Sequence, residues 1–214
     1  MDKILKSITI VGCGPGHVDY LTPAARKAAE RAEVLVGAEH LLQLFPPTRC
    51  QRIAVGGAMA AVLDQIEPLL TRQICILVSG DCGLFSLAQL VIARFGRENC
   101  RLIPGISSVQ LAFSRLALSW HTALLISAHG RLPQQTAVEL RQYDRIALLA
   151  GNAAAIEWTA ARLDELMDDY VAISCENLSL NQEMIRQFDD GEALRCTTFP
   201  SRTIFLLLKR ELLS

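Results

Sequence analysis

The chain has 214 residues, 51% of them apolar and 20% charged, and its 21 basic side chains against 22 acidic ones leave a net charge of −1. This is a globular composition with enough chain to bury most of its surface. The near-neutral balance argues against broad nucleic-acid or anionic-membrane binding, which needs a basic excess or stripe. There is no low-complexity run, no sustained heptad and no stretch approaching roughly 18 uninterrupted apolar residues, so disorder, a coiled coil and a spanning helix are excluded as well.

Residues 4–11 are apolar or β-branched at nearly every position, as in a strand buried on both faces of a parallel sheet. Gly12, Gly14, Pro15 and Gly16 end the run at once, so it reads as a first strand and not as a signal peptide. Thr22-Pro23 supplies a cap and a first-turn proline for a helix over 24–32. A short strand over 34–36, closed by Gly37, and a helix over 58–70 follow. The run 74–78 is a clear strand, the turn Ser79-Gly80-Asp81-Cys82-Gly83 follows it, and a helix covers 86–95. A strand over 101–103 leads through Pro104-Gly105 into a helix over 107–116.

The pattern resets near residues 118–121. Strands are predicted over 123–127, 146–150, 171–175 and 203–209, with helices over 133–141 and 154–166. Alternating strands and helices predict an α/β fold. The first half forms a mostly parallel sheet and the second half a sheet of its own, of mixed direction. The boundary is placed between residues 118 and 119 with no flexible linker, which gives lobes of 1–118 and 119–214 with a ligand cleft between them.

Seven cysteines, at 13, 50, 75, 82, 100, 175 and 196, include no Cys-x-x-Cys pair, and most lie in apolar runs where a thiol packs as a small hydrophobe. No metal site and no disulfide framework is predicted, and a reducing, cytoplasmic compartment is the natural setting.

Three turns rich in small residues, 12–16, 80–83 and 104–108, each follow a strand and precede a helix. In an open α/β sheet ligands bind outside the carboxyl ends of the strands, so the three turns should meet at one crevice. The first is not a dinucleotide fingerprint. The third glycine of Gly-x-Gly-x-x-Gly would fall on His17, Pro15 has no N–H for a pyrophosphate, and the second strand carries no acidic residue at its tip. No lysine follows a glycine loop, which argues against a nucleoside triphosphate. Backbone amides, two serine hydroxyls and one carboxylate suit a ligand rich in hydrogen-bonding groups and poor in negative charge, such as an amino-acid-bearing nucleoside.

The run 10–16 followed by Leu21-Thr22-Pro23-Ala24-Ala25, then Val78-Ser79-Gly80-Asp81, then 103–110 (Ile-Pro-Gly-Ile-Ser-Ser-Val-Gln) resembles, in order and spacing, the motifs of the tetrapyrrole (precorrin) methylases. Val36-Gly37-Ala38, His129-Gly130-Arg131 and Glu176-Asn177-Leu178 are similar to one branch, which methylates C5 of precorrin-7 or its cobalt form in cobalamin synthesis. The chain departs from the family pattern at Cys82, where proline is usual, and at Ser179, where glycine is usual.

The resemblance implies a two-lobed enzyme that binds S-adenosyl-L-methionine through Pro15, Gly80, Asp81, Leu84, Ser107, Ser108 and Ala150. It also implies a precorrin substrate whose carboxylates pair with His129, Arg131 and His17, with Arg115 and His121 as further candidates. No catalytic base is assigned, and Trp120 and Trp158 are expected to pack rather than stack on a ring. The resemblance further implies a homodimer, and, since some relatives carry a fused C15-methylating decarboxylase that this chain lacks, a separate protein for that step. A sister methylase acting at another ring position, or a nucleotide-binding module without catalysis, are the alternatives.

Overall fold

The computed structural model describes residues 8–47, 49–56, 59–128, 130–166 and 168–213. The chain splits into two compact units, Met1–Ser107 and Ser108–Ser214. The division falls earlier than the 118/119 boundary expected from the sequence, because the helix that follows Ser107 packs against the last strand of the second unit.

The first unit is a five-stranded sheet of β1 (Ile8–Gly12), β2 (Val34–Gly37), β3 (Gln51–Ala54), β4 (Ile74–Val78) and β5 (Cys100–Ile103), in the order β3-β2-β4-β1-β5. Every pairing is parallel. Helices α1 (Pro23–Glu30), α2 (Glu39–Leu42), α3 (Met59–Ile66) and α4 (Ala88–Phe95) complete the unit. The strands alternate between two apolar layers. Ile8, Ile10, Val34, Val36, Ile74 and Ile76 pack with Val62, Leu63 and Ile66 of α3 and Val91 and Phe95 of α4. Val11, Leu35, Cys75 and Leu77 pack with Ala25 and Ala29 of α1 and Leu41 and Leu42 of α2. Burial on both faces is why these strands read as continuous apolar runs.

Three elements differ from the sequence reading here, one of them the short helix α2, which the reading did not include. The helix expected over 58–70 ends at Ile66 and tightens into a 3-10 turn, Glu67–Leu69, because Pro68 has no N–H for the next helical bond. The edge strand β3 escaped notice because Ile53 is its one buried residue. Arg52 anchors it by donating to the carbonyls of Leu42, Phe45 and Pro46.

The second unit holds α5 (Ser108–Arg115), β6 (Leu124–Ser127), α6 (Ala137–Leu140), β7 (Arg145–Leu149), α7 (Ala153–Leu166), β8 (Tyr170–Glu176), β9 (Met184–Phe188), α8 (Gly191–Arg195) and β10 (Thr203–Lys209). Its sheet has the order β6-β7-β10-β8-β9, with β6 and β7 parallel and the other pairings antiparallel. Ile146, Leu148, Phe205 and Leu207 pack against Ala155, Ala160, Leu163 and Leu166 of α7. The helix expected over 133–141 shrinks to α6. Thr136 and Glu139 form a capping box there, so the helix starts after Thr136 and not at Pro133. Trp158 packs on the core as expected, whereas Trp120 is 46% exposed. All seven cysteines are free thiols. Among the described residues no helix is long and apolar enough to cross a membrane.

Helix α8 is clamped to α7 by charge. The Asp164 carboxylate accepts the Gly191 N–H at 2.8 Å and pairs with Arg195 at 2.8 Å, and Arg195 also reaches Glu157 at 3.0 Å. A side chain at Gly191 would put its Cβ 2.5 Å from the Ala160 carbonyl oxygen. Gly191→Ala is therefore expected to lower stability by about 1–3 kcal/mol, read as a lower denaturant midpoint at an unchanged slope.

Candidate functional site

The carboxyl ends of β4, β1 and β5, three adjacent strands of the first sheet, carry the three small-residue turns. The turns are joined to one another directly. Gly14 donates to the Gly80 carbonyl at 3.1 Å and accepts from the Gly80 N–H at 2.8 Å, an isolated antiparallel bridge. Cys13 donates to the Val78 carbonyl at 2.9 Å. Both bridge residues sit in the left-handed region, at φ +78° and +65°, which L side chains adopt only at a cost. Gly105 packs flush against this pair. A Cβ on Gly12 would lie 2.6 Å from the Gly105 nitrogen and 2.7 Å from the Gly80 oxygen.

Asp81 staples the second turn to the third. One carboxylate oxygen accepts the Gly83 N–H at 2.8 Å and the other accepts the Gly105 N–H at 3.0 Å. Beside it, the Cys82 thiol donates to the Ile103 carbonyl at 3.5 Å, a second link to the end of β5. Burial, with the Asp81 charge adding to it, pushes this thiol above its ordinary range and keeps it protonated. The residue standing where the family usually has proline thus ties the same two turns together through its side chain.

These bonds change the chemistry expected of the crevice. The amides of Cys13, Gly14, Gly80, Gly83 and Gly105 are all engaged inside the protein, so they do not form a donor cradle for a ligand. Their carbonyl partners are engaged in the same bonds, and the Asp81 carboxylate keeps lone pairs beyond the two it uses. A carboxylate beside engaged amides suits a ligand carrying cationic or hydroxyl donors and disfavours a phosphate. Pro15, between Gly14 and Gly16 in the chain, is half-buried, and Leu84 is half-buried with its N–H on the Asp81 carbonyl. Ser107 is buried at the end of the third turn. His17 is exposed and caps the 3-10 turn Val18–Tyr20, its Nδ1 accepting the Asp19 N–H.

In the second unit, Ser108 is the first residue of α5 and is half-buried. Ala150 is buried just past β7, and its N–H donates to the Thr203 carbonyl at 3.3 Å. Gly151 and Thr203, beside it, line a cleft of about 410 Å³ that is also bounded by Asn152, Ile156, Arg195 and Phe199. Arg131 and His121 are exposed, and His129 lies outside the described residues.

Glu176-Asn177-Leu178, the stretch that resembles one family branch, begins with a buried ion pair. The Glu176 carboxylate accepts from the Ser174 hydroxyl at 2.7 Å and from Arg186 at 2.8 Å, and Arg186 stacks over Phe199 with its guanidinium carbon 5.0 Å from the ring centroid. Asn177 and Ser179 both have left-handed backbones, at φ +47° and +70°. That geometry is the physical reason for the glycine the family usually carries at this place. Arg115, a substrate candidate from the sequence, is paired with Glu183. No sequence signal pointed to Glu183, because its partner lies 68 residues away.

The chain thus combines an all-parallel α/β unit with fused glycine turns at its strand ends and a following unit with a mixed sheet. The chain belongs to the tetrapyrrole (corrin/porphyrin) methylases, whose family model matches residues 7–192. It is 35% identical over 124 residues to the cobalt-precorrin-7 C(5)-methyltransferase of Salmonella typhimurium, a match covering 58% of this chain and 62% of that relative. The fold is shared with a precorrin-6Y methylase from Archaeoglobus fulgidus, at 24% identity and a TM-score of 0.74 over 96% of this chain and 99% of that one. It is shared too with the uroporphyrin-III C-methyltransferase from Thermus thermophilus complexed with S-adenosylhomocysteine, at 18% identity and a TM-score of 0.74 over 94% and 96% of the two chains.

Removing the staple tests the first unit's geometry. Asp81→Ala leaves two turn amides without their acceptor and is expected to lower stability by about 1–3 kcal/mol. Hydrogen exchange should speed up at the Gly83 and Gly105 amides ahead of the strand interiors, and unchanged protection at both would remove the staple from the description.

Proposed function

We propose that this chain transfers a methyl group from S-adenosyl-L-methionine to C5 of precorrin-7 or its cobalt form in cobalamin biosynthesis. The observation that carries the reading is the Asp81 carboxylate, which keeps acceptor lone pairs beside turn amides, those of Gly14, Gly80 and Gly105, that are engaged internally. The cofactor's ammonium and ribose hydroxyls are donors, and its sulfonium is cationic, so the residues present fit it. The named activity of the Salmonella relative supports the ring position and the substrate class.

When bound, the cofactor supplies an electrophilic methyl. The chain's own residues bind and orient. Asp81 accepts from donor groups with its remaining lone pairs, the Ser107 and Ser108 hydroxyls complete the polar contacts, and Pro15, Gly80, Leu84 and Ala150 provide the close apolar and backbone surface. Arg131, His129 and His17 pair with the acetate and propionate carboxylates of the tetrapyrrole, Arg131 in the bidentate geometry that a guanidinium allows. Alignment of two reactants in this way supplies up to about 7–11 kcal/mol of the barrier, and a ring carbon that is already nucleophilic needs no dedicated strong base. The reading includes a homodimeric, cytoplasmic enzyme acting beside a separate C15-methylating decarboxylase.

The test is methyl transfer itself. Incubation with S-adenosyl-L-methionine and precorrin-7 is expected to add a single methyl to the tetrapyrrole, located at C5 by carbon NMR of a labelled product. Methylation elsewhere on the ring would assign a sister activity. Arg131→Ala is expected to bind S-adenosylhomocysteine as the wild type does while losing about tenfold or more in kcat/KM for the tetrapyrrole, the scale of a lost charge-assisted contact. Equal loss of cofactor binding would contradict the division of roles.

A further inference from the structure

The loop between β8 and β9 is held by a connection that links it to α5. Arg115, the last residue of α5, donates through Nε to one Glu183 oxygen at 2.5 Å and through Nη2 to the other at 3.2 Å. The second of these oxygens also accepts the Ser179 N–H at 2.6 Å. Ser179 is a residue with a Cβ at φ +70°, a conformation that glycine adopts freely and serine does not. Two further bonds close the loop, Leu180 N–H to the Asn177 carbonyl and Glu183 N–H to the Leu180 carbonyl, both 2.9 Å. The Arg115 hydrogen bond, and then the Ser179 amide, hold the Glu183 carboxyl below its ordinary range although partial burial opposes them.

The loop stands at the same end of the second sheet as Ala150. Thr203 accepts the Ala150 N–H and is paired with Glu176 in register, and the next residue along, Asn177, donates to the Arg202 carbonyl. Ala150, Thr203 and Glu176 therefore form a row across β7, β10 and β8, and the loop continues directly from that row. The other end of α5 begins at Ser108. One ion pair thus joins the helix that opens with a proposed cofactor residue to the loop at the sheet end that carries another.

We propose that Arg115 and Glu183 are positioning residues for the cofactor site, whose ion pair holds Ser179 in its left-handed conformation and so fixes the 177–183 loop at the end of the second sheet that carries Ala150. The proposal rests on the cofactor reading above. The Ser179 side chain takes no part; the Glu183 oxygen acts on its backbone N–H. Because the bonds to Glu183 compensate for an unfavourable backbone, their role disappears once the backbone no longer needs them.

A rescue experiment tests this. Glu183→Ala is expected to weaken S-adenosylhomocysteine binding about tenfold, a factor matching the left-handed cost released from its restraint. It should also speed hydrogen exchange at residues 177–183 in the ligand-free protein. Arg115→Lys, which keeps the charge and loses the bidentate fork, should show the same changes to a smaller degree. Glu183→Ala/Ser179→Gly is expected to return both affinity and exchange to within about threefold of the wild type, since glycine holds φ +70° unaided. A double variant no better than Glu183→Ala would overturn the proposal, as would unchanged exchange and affinity in Glu183→Ala with its thermal midpoint preserved. A pair that merely stabilised the unit would not be rescued by a glycine four residues away. Should the wild type fail to bind S-adenosylhomocysteine, the cofactor reading falls and the positioning role falls with it, while the exchange data still decide whether the ion pair holds the turn.

Discussion

Gly14 and Gly80 face each other at the ends of adjacent strands and exchange both backbone hydrogen bonds. The rest of the first unit's site depends on that exchange. It requires left-handed backbone on both sides, which glycine supplies at no steric cost. It places the Gly80 carbonyl where only another glycine, Gly105, can lie against it. It also leaves Asp81, the next residue, positioned to accept from the third turn. The parallel sheet brings the strand ends to one edge, and the glycine exchange converts three separate turns into one surface.

That surface has a chemical character because of what it lacks. In a phosphate-binding loop the amides point outward and the ligand completes their bonding. Here the amides of Gly14, Gly80, Gly83 and Gly105 are satisfied within the protein, and the Asp81 carboxylate keeps lone pairs to spare. On the proposed reading, the hydrogen bonds that hold the turns together leave few donors for a phosphate and a carboxylate for a cationic or hydroxyl-bearing ligand. Structure and specificity are joined in one set of bonds, so a substitution that loosens the turns should alter both.

The strands of the first sheet could be read from the chain because burial on both faces leaves an uninterrupted apolar run, as in 74–78. Thr22-Pro23 likewise carries its own local signal, and the Thr22 hydroxyl does accept the Ala25 N–H. The edge strands β3 and β9 carry no such signal: β3 buries one residue and β9 exposes Met184 and Ile185. The helix expected over 133–141 is shorter in the fold, because the Thr136–Glu139 box starts it after Thr136. At the site, the meeting of three turns followed from topology, but the internal use of their amides did not. The Asp81–Gly105 bond spans 24 residues and the Arg115–Glu183 pair 68, and one-dimensional spacing holds no record of such contacts. Ser179 is the instructive case. As a departure from the family pattern it was visible in the chain, and its left-handed backbone, with the carboxylate that restrains it, became visible only in three dimensions.

The most direct test of the central claim is a calorimetric titration of the wild-type chain with S-adenosylhomocysteine and, separately, with NAD. The Asp81 carboxylate beside engaged turn amides predicts saturable one-site binding of the first and no heat of binding from the second. Binding of NAD without S-adenosylhomocysteine would contradict it, because a pyrophosphate needs the donors that Gly14, Gly80 and Gly105 have already committed to one another and to Asp81.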